Sequence, residues 1–233
     1  MEVLVALSLV AIAVGALIQA ATGMGFSLVA APLLLITLGP QEGVGGVVVL
    51  AALSSVLPLS RNFRSVQSGA VARLLVPALV CTPLLAWSLR DLPTKWLAVG
   101  AGIGVIVAVV ILASGVRWRW LRHPLGAVST GVTSALLNVV GGVGGPPIGI
   151  YAANAGWTPV VSRANMHAFF LTQNVVTALV LGIVLPGIWQ LVALTVGTAG
   201  GLLLSGRVSA PLLRTVVLTI SLVGGVSLVA GAL

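Results

Sequence analysis

Residues 138–156 read NVVGGVGGPPIGIYAANAG, and they interrupt an apolar run that would otherwise continue as a helix. The glycines and the double proline Pro146-Pro147 open the backbone where lipid offers its N–H and C=O groups no partners. Such an opening is tolerated only inside protein or beside a water-filled cavity. Residues 19–32, QAATGMGFSLVAAP, have the same layout, because a side-chain amide precedes a Gly-x-Gly segment by one helical turn. We name residues 23–25 the first break and residues 142–144 the second break, and we expect the functional centre there.

The composition is that of an integral membrane protein. Hydrophobic residues make up 59% of the chain, charged residues only 6%, and the mean hydropathy is +1.22. Soluble domains carry about a quarter charged residues. The net charge of +8 comes from arginines dispersed between apolar runs, so it indicates membrane topology and excludes a nucleic-acid partner. The single cysteine, Cys81, excludes a disulfide framework and a cysteine metal site.

Apolar runs predict where the helices lie. They occur at about 3–21, 27–38, 43–60, 69–89, 95–113, 125–140, 146–155, 162–184, 188–204 and 210–232. The first run has no basic residue before it, which favours a retained span over a cleaved signal peptide. A helix needs about 20 residues to cross the hydrocarbon core, so the runs at 27–38 and 146–155 are expected to be half-helices. Each follows one of the breaks, which predicts a re-entrant helix pair or an interrupted spanning helix in each half.

An internal repeat relates the two halves of the chain. A shift of 119 residues superposes Gly23 and Gly25 on Gly142 and Gly144, and Gln19 on Asn138. We therefore predict an all-α polytopic membrane protein of two repeats, residues 1–115 and 125–233, joined by a cytoplasmic connector at 116–124. Each repeat is expected to hold a broken or re-entrant helix pair followed by about three transmembrane helices. An odd number of crossings turns the second repeat upside down, so the two repeats are expected to be inverted.

The charged residues between the runs predict the orientation. Most of the arginines fall on one side of this layout, namely Arg61, Arg64, Arg117, Arg119, Arg122, Arg163 and Arg207. The opposite side carries Arg90, Asp91, Lys95, Glu2 and Glu42. Cytoplasmic loops are rich in Lys and Arg, so we expect the basic side in the cytoplasm and both termini outside.

The two breaks predict an anion site. The spans contain almost no carboxylates, which argues against a fixed cation site at membrane depth. Glycine allows close approach of backbone to a ligand, and the N-terminus of a half-helix directs N–H groups and partial positive charge at it. The double proline predicts a helix start with unpaired glycine N–H groups nearby. The candidate substrate-binding residues are Gln19, Thr22, Gly23, Gly25, Ser27, Asn138, Gly142, Gly144, Gly145, Tyr151, Arg163, Asn165 and His167.

Simpler structural roles are alternatives for several of these residues. Gly-x-Gly also serves close helix packing, while Asn165 and the nearby Gln173 and Asn174 also suit hydrogen bonds between helices. Arg163 fits the positive-inside pattern equally well. His167 lies one turn beyond Arg163 on the same helix face, where it is suited to bind the substrate, carry a proton or bond a neighbouring helix.

Two segments resemble the signatures of a known family. Residues 22–32, TGMGFSLVAAP, resemble the Gly-rich signature of the sulfite exporter TauE/SafE family, and residues 141–151, GGVGGPPIGIY, are similar to its second-half counterpart. The two-fold repeat and the polar segment RANMHAFF at 163–170 also fit, so the resemblance covers essentially the whole chain. Phe26 and Ser27 stand where glycines are commoner in the family. The resemblance implies export or uptake of small sulfur-containing anions, such as sulfite, sulfoacetate or other organosulfonates, across the bacterial inner membrane.

The expected function is secondary transport of a small anion by alternating access, with sulfite or an organosulfonate as the favoured substrate. An anion channel and a transporter of another small anion, such as a carboxylate, are the alternatives. No enzymatic activity, metal site or cofactor is expected, because no nucleophile–base pair, metal cluster or paired carboxylates occur among the spans. Membrane lipid and the anion are the expected partners. The sequence leaves open the identity of the anion, the direction of transport, a coupling proton or sodium ion, and a homo-oligomeric state.

Overall fold

Helices make up the regular secondary structure of residues 2–115, 118–205 and 210–232, the parts of the chain that the computed structural model describes. No strand occurs in these residues. Their ten α-helices are α1 (Glu2–Thr22), α2 (Phe26–Leu38), α3 (Pro40–Asn62), α4 (Ser68–Leu89), α5 (Thr94–Ser114), α6 (Pro124–Gly141), α7 (Gly145–Ala155), α8 (Pro159–Leu181), α9 (Ile188–Leu204) and α10 (Ala210–Ala232). Two 3₁₀ turns, Phe63–Ser65 and Arg119–Arg122, follow α3 and precede α6.

Within the described residues, six helices are long and apolar enough to cross a membrane, namely α1, α3, α4, α5, α6 and α8. Large apolar side chains such as Val196, Leu203 and Trp189 are 64%, 71% and 70% exposed, which suits a surface that faces lipid. The predicted class, an all-α polytopic membrane protein, is therefore confirmed.

Glycine and proline set the helix ends near the breaks. Gly25, with φ +118, precedes α2, and Gly142, with φ +69, ends α6, and both values lie in the left-handed region that favours glycine. Pro146 and Pro147 occupy the first turn of α7, where a missing N–H is tolerated. The half-helices predicted at 27–38 and 146–155 agree with α2 and α7 to within one residue.

One predicted helix end is wrong. The apolar run at 162–184 suggested a helix to residue 184, but α8 ends at Leu181 because Gly182 adopts φ +105. Residues 182–187 are apolar without being helical, so hydrophobicity alone extended the prediction too far.

The chain reverses its direction at each break. The hydroxyl of Ser134 donates a hydrogen bond of 2.7 Å to the carbonyl oxygen of Gly144, ten residues later. A continuous α-helix would separate such residues by about 15 Å. In the first half, a Cβ atom built on Gly15 would lie 2.9 Å from the carbonyl oxygen of Phe26. The pairs α1–α2 and α6–α7 are therefore helical hairpins, and the alternative of an interrupted straight helix does not apply.

The helix bounds of the two halves correspond. At the 119-residue shift, the end of α1 falls on the end of α6, and the starts of α2 and α3 fall on those of α7 and α8. The packing corresponds as well, because α1 packs against α9 as α6 packs against α4, while α3 contacts α8 and α5 contacts α10. These correspondences support the predicted repeat. The inverted relation and the division at 1–115, 116–124 and 125–233 stay predictions.

Small residues bring the helices of the two halves together. A Cβ atom on Gly197 or Gly201 of α9 would overlap the backbone of α1, and one on Gly131 of α6 would overlap the backbone of α4. Without a side chain the helix backbones approach closely, which is how helices associate in lipid. One buried cluster centres on Phe26 in α2, and a second centres on Phe169 in α8.

Hydrogen bonds between elements group the loops at the two ends of the bundle. Arg122 Nε donates to the carbonyl oxygen of Asn154 at 2.8 Å, and the amide nitrogen of Gln67 donates to Asn165 Oδ1 at 2.8 Å. At the other end, Gln41 Nε2 donates to Thr94 Oγ1 at 3.1 Å. This grouping agrees with the two sides assigned from the charges. Of the arginines on the basic side, Arg117 and Arg207 lie outside the described residues, and the orientation across the membrane stays a prediction.

Candidate functional site

The two breaks meet at one small cavity. Its walls come from both halves of the chain. They are formed by Gln19, Gly25, Ser27, Leu28, Asn138, Gly144, Gly145, Phe170 and Asn174, of which the last two lie on α8. The cavity offers about 10 Å³ to the centre of a water molecule. That is room for about one water, so an anion of several heavy atoms fits only if the breaks move apart. The cavity is therefore closed in this conformation.

Gln19 of α1 ties the first break to α3. Its Nε2 atom donates to Ser54 Oγ at 2.6 Å and to Ser55 Oγ at 3.0 Å, and the carbonyl oxygen of Ala51 lies 3.3 Å from it. Its Oε1 atom accepts a hydrogen bond of 3.3 Å from the amide nitrogen of Phe26, the first residue of α2. Gln19 is buried, so these bonds replace water for a group that is costly to leave unpaired.

Asn138 of α6 does the same for the second break. Its Nδ2 atom donates to Asn174 Oδ1 and to Thr177 Oγ1 on α8, both at 3.0 Å. Its Oδ1 atom accepts a hydrogen bond of 3.4 Å from the amide nitrogen of Gly144. Each amide therefore joins the backbone of its own break to the third helix of the same half of the chain.

The backbone N–H groups at the breaks are only partly free. At the second break, the N–H groups of Gly142 and Gly144 are bonded to Asn138, one to its carbonyl and one to its side chain. The expectation of unpaired glycine N–H groups there is therefore wrong for these two residues. Gly145 keeps its N–H group, and the two prolines after it have none.

The start of α2 offers more donors. The N–H groups of Ser27 and Leu28 lie in the first turn, where a helix supplies no acceptor, and both residues line the cavity. The Ser27 hydroxyl lies beside them. The cavity wall offers hydrogen-bond donors and a helix N-terminus, and it has no carboxylate. These features suit the binding of an anion.

Thr22, Gly23 and Arg163 do not line the cavity. The hydroxyl of Thr22 bonds the carbonyl oxygens of Ile18 and Met24, so it shapes the end of α1. A Cβ atom on Gly23 would lie 3.1 Å from the Cα atom of Arg163. This places half-buried Arg163 of α8 against the first break.

Gly142 and Tyr151 also lie outside the cavity wall. A Cβ atom on Gly142 would come within 2.7 Å of Val47, so this glycine serves packing against α3. The Tyr151 ring packs edge-on against Trp157, with 5.6 Å between ring centroids. Neither residue contacts the cavity.

Asn165 and His167 lie on α8 next to Arg163. Asn165 Oδ1 accepts the hydrogen bond from Gln67, which agrees with the helix-bridging alternative for this residue, while its Nδ2 atom has no partner among the described residues. His167 is fully buried, and neither of its ring nitrogens has a hydrogen-bond partner there. The alternative in which His167 bonds a neighbouring helix is not seen.

Comparison with known proteins assigns the family. A family model described as "Sulfite exporter TauE/SafE" matches residues 7–228, which is nearly the whole chain. The chain belongs to the sulfite exporter TauE/SafE family. This is a family of membrane transporters, so the chain is a membrane transporter and not an enzyme. No curated protein and no solved structure matches the chain significantly.

For this TauE/SafE chain, sequence reasoning missed several residues of the site. Ser54, Ser55, Ser134 and Thr177 bond the amides or the backbone of the breaks without having been singled out. The repeat carried a usable signal, because the shift that pairs Gln19 with Asn138 also pairs Ser54-Ser55 with the polar pair Gln173-Asn174. The Ser134 hydroxyl, whose hydrogen is donated to Gly144, lies 3.1 Å from Gln173 Oε1, while Gln173 Nε2 has no partner among the described residues.

The described residues hold no metal centre, because no group of three or more His, Cys, Asp or Glu side chains comes together in them. The site of this transporter is therefore built from backbone N–H groups, hydroxyls and amides.

Proposed function

We propose that this protein is a secondary transporter that moves sulfite or an organosulfonate across the bacterial inner membrane by alternating access. The observation that carries the proposal is the meeting of two half-helix N-termini at one cavity whose wall has no carboxylate. Positive helix ends and free N–H groups favour an oxyanion. The sulfonate or sulfite oxygens would accept hydrogen bonds from the N–H groups of Ser27, Leu28 and Gly145 and from the Ser27 hydroxyl.

The amides of Gln19 and Asn138 are assigned a supporting role. Their donor hydrogens are already used by α3 and α8, so they hold the breaks at the cavity. Binding of the anion to the amide of Asn138 would require its bond to Asn174 to exchange. We propose that such an exchange accompanies the opening of the cavity.

Alternating access is supported by a second, larger cavity. It has a volume of about 450 Å³, and it lies at the end of the bundle that carries Gln41 and Arg90. Its inner wall includes Val44, Val139 and Val140. Val139 and Val140 lie just before the second break in the sequence, and Val44 lies beside Gly142 of that break. We assign this cavity as the outer vestibule, from which separation of α3 and α6 gives access to the anion site. The first break, beside Arg163, would open towards the basic side.

A channel needs a continuous water-filled path, and the closed central cavity favours a transporter instead. The distinguishing experiment uses the full chain in proteoliposomes with radiolabelled sulfite. Exchange should saturate with concentration and should accelerate when unlabelled sulfite is present on the opposite side. Linear flux without trans-stimulation would establish a channel, and no protein-dependent flux of sulfite or sulfoacetate would refute the transport proposal.

The substrate is identified by a binding screen against sulfite, sulfate, sulfoacetate, taurine, carboxylates and phosphate. A ligand that binds only the folded state stabilises it by about 2.7 kcal/mol at a hundredfold excess over its Kd. Sulfite or sulfoacetate should raise the thermal midpoint most. The largest shift with a carboxylate would instead support the alternative substrate class.

The predicted orientation across the membrane is tested by cysteine labelling in a Cys81→Ser background. Gly69→Cys places an exposed thiol on the basic side, and Leu92→Cys places one on the opposite side. In intact cells an impermeant maleimide should label Leu92→Cys and should reach Gly69→Cys only after the membrane is opened. The reverse pattern would overturn the orientation, and labelling of both from outside would overturn the layout.

A further inference from the structure

His167 is buried without any hydrogen bond. It lies in α8 with 0% exposure, and neither Nδ1 nor Nε2 has a partner among the described residues. Burying a polar ring without partners costs free energy, so such groups are usually bonded in folded proteins. At the 119-residue shift the first repeat has Val48, also fully buried, at the corresponding position. The histidine is thus a feature of one repeat only, and helix packing does not require it.

Of the acidic residues and histidines in the sequence, only His167 lies within a helix and away from its ends. The whole chain has three acidic residues and two histidines. Glu2 begins α1, Glu42 lies in the first turn of α3, Asp91 follows α4, and His123 precedes α6. These four groups lie at helix ends. His167 is therefore the one Asp, Glu or His side chain inside a span that can exchange a proton near neutral pH.

His167 lies between the cavity and the basic side of the bundle. Arg163, one turn before it on α8, lies against the first break, and Phe170, one turn after it, lines the cavity. Residues three and four apart share one face of a helix, so His167 lies between these two points.

Other charged or titratable groups occur on the elements that pack against α8. These are Glu42 and Arg61 at the two ends of α3, Arg64 in the 3₁₀ turn, Arg73 and Cys81 on α4, and Tyr151 on α7, while the α6 segment has none. None of these groups bonds the imidazole. The nearest charge along its own helix is Arg163.

We propose that His167 carries the proton that is coupled to anion transport, an inference that rests on the transport function proposed above. With the cavity open to one side, an imidazole nitrogen takes a proton from water while the anion binds. The imidazolium offsets the charge of a monoanion during the transition, when carrying an unpaired charge through the membrane interior would be costly. After the cavity opens to the other side, the same nitrogen returns the proton to water, and the anion leaves.

The test uses the full chain in proteoliposomes with radiolabelled sulfite and an internal pH indicator. Protein-free vesicles at the same pH values correct for protonation of sulfite itself. In the wild type, sulfite entry should carry protons inward, and a pH gradient with the alkaline side inside should drive sulfite accumulation. Net sulfite entry without proton movement, or accumulation driven only by a sodium gradient, would overturn the proposal while leaving the transport function standing.

The decisive variant is His167→Gln, which keeps a polar side chain but cannot take up a proton. It should retain sulfite exchange at equal pH on both sides and lose accumulation driven by the pH gradient. His123→Gln, at the start of α6, is the matched control and should behave as wild type. Wild-type accumulation by a folded His167→Gln protein would refute the role of this residue. Loss of exchange as well, with an unchanged thermal midpoint, would assign His167 to anion binding instead.

Discussion

The first and second breaks use one hydrogen-bond scheme with different residues. In both, a side-chain oxygen accepts from a backbone N–H group beyond the break, and the amide nitrogen donates to the third helix of the same repeat. Glutamine is one methylene longer than asparagine, and its oxygen bonds Phe26, one position further along the repeat than Gly144. The bonding pattern is therefore common to both halves, although residue identity is not.

The breaks differ in what their glycines do. Gly23 and Gly25 both have φ values in the left-handed region, +96 and +118, so the first break needs glycine for its backbone conformation. Gly144 has φ −66, which any residue adopts, but a Cβ atom there would lie 2.8 Å from the carbonyl oxygen of Ser134. The second break needs this glycine for space.

The breaks also differ in the donors that they supply. Ser27 in the first turn of α2 corresponds to Pro146 in the first turn of α7 at the 119-residue shift. The first break therefore presents N–H groups and a hydroxyl, while the second presents prolines and contributes chiefly the wall of the cavity. The family signature is more complete at the second break, yet the first is the better donor. A glycine-rich motif and a set of hydrogen-bond donors are thus separate properties.

The largest expected effect comes from removing a bridging amide. Gln19→Leu or Asn138→Leu leaves buried partners unsatisfied, and we expect each to lower the free energy of unfolding by about 2–3 kcal/mol. Gln41→Leu is the matched control, because Gln41 also bonds across helices but is exposed. It should cost no more than about 0.5 kcal/mol.

Thermal denaturation of the purified variants in detergent measures this difference. If only one of Gln19→Leu and Asn138→Leu loses stability, the hydrogen-bond scheme that the two breaks have in common does not stabilise both of them. Equal effects of Gln41→Leu and Gln19→Leu would mean that burial of the amides is not what matters.

The local sequence was sufficient to predict the helices and the breaks, but it did not predict the hydrogen-bond partners of the side-chain amides. The starts of α2 and α7 follow from glycine, proline and run length, which act within a few residues. The bond from Gln19 to Ser54 spans 35 residues, and the bond from Asn165 to Gln67 spans 98. Such pairs depend on how whole helices pack, which apolar runs of similar composition do not specify.

The candidate site was predicted in its centre and not at its edges. Gln19, Gly25, Ser27, Asn138, Gly144 and Gly145 all line the cavity, because each lies within one turn of a break. Tyr151 was expected there since it follows the second break on α7. It lies two turns into that helix, however, and packs on Trp157. A position along the chain does not determine which face of a helix points to the cavity.

An intermediate effect on stability is expected at the start of α7, where Gly144 and Gly145 should respond differently to substitution by alanine. Gly144→Ala places a methyl group against the backbone of Ser134, and we expect a loss of about 1–3 kcal/mol in unfolding free energy. In Gly145→Ala the nearest heavy atom to the new methyl group is Phe170 Cζ at 3.8 Å, an ordinary contact. This variant should stay within about 0.5 kcal/mol of wild type.

Gly145→Ala should nevertheless reduce sulfite exchange, because the methyl group enters the wall of a cavity that holds about one water. Thermal midpoints and exchange rates are measured on the same preparations. A stable Gly145→Ala protein with wild-type exchange would remove Gly145 at the start of α7 from the anion site, whereas a stable Gly144→Ala protein would contradict the packing at Ser134.

The smallest effect on stability is expected for Ser27→Ala, and it decides whether the first break is the donor. The half-buried hydroxyl of Ser27 lines the cavity, and its removal should change the unfolding free energy by less than about 0.5 kcal/mol. Loss of one hydrogen bond to a charged ligand costs about 1.5 kcal/mol at the lower end, which is about tenfold in sulfite affinity. Ser60→Ala is the control, because the Ser60 hydroxyl is exposed and bonds only the carbonyl of Leu57 in its own helix. Since Pro146 occupies the corresponding position in the second half, an unchanged Kd for sulfite in Ser27→Ala would make the two breaks equivalent in side-chain donors. The asymmetry between them would then lie in the backbone N–H groups alone.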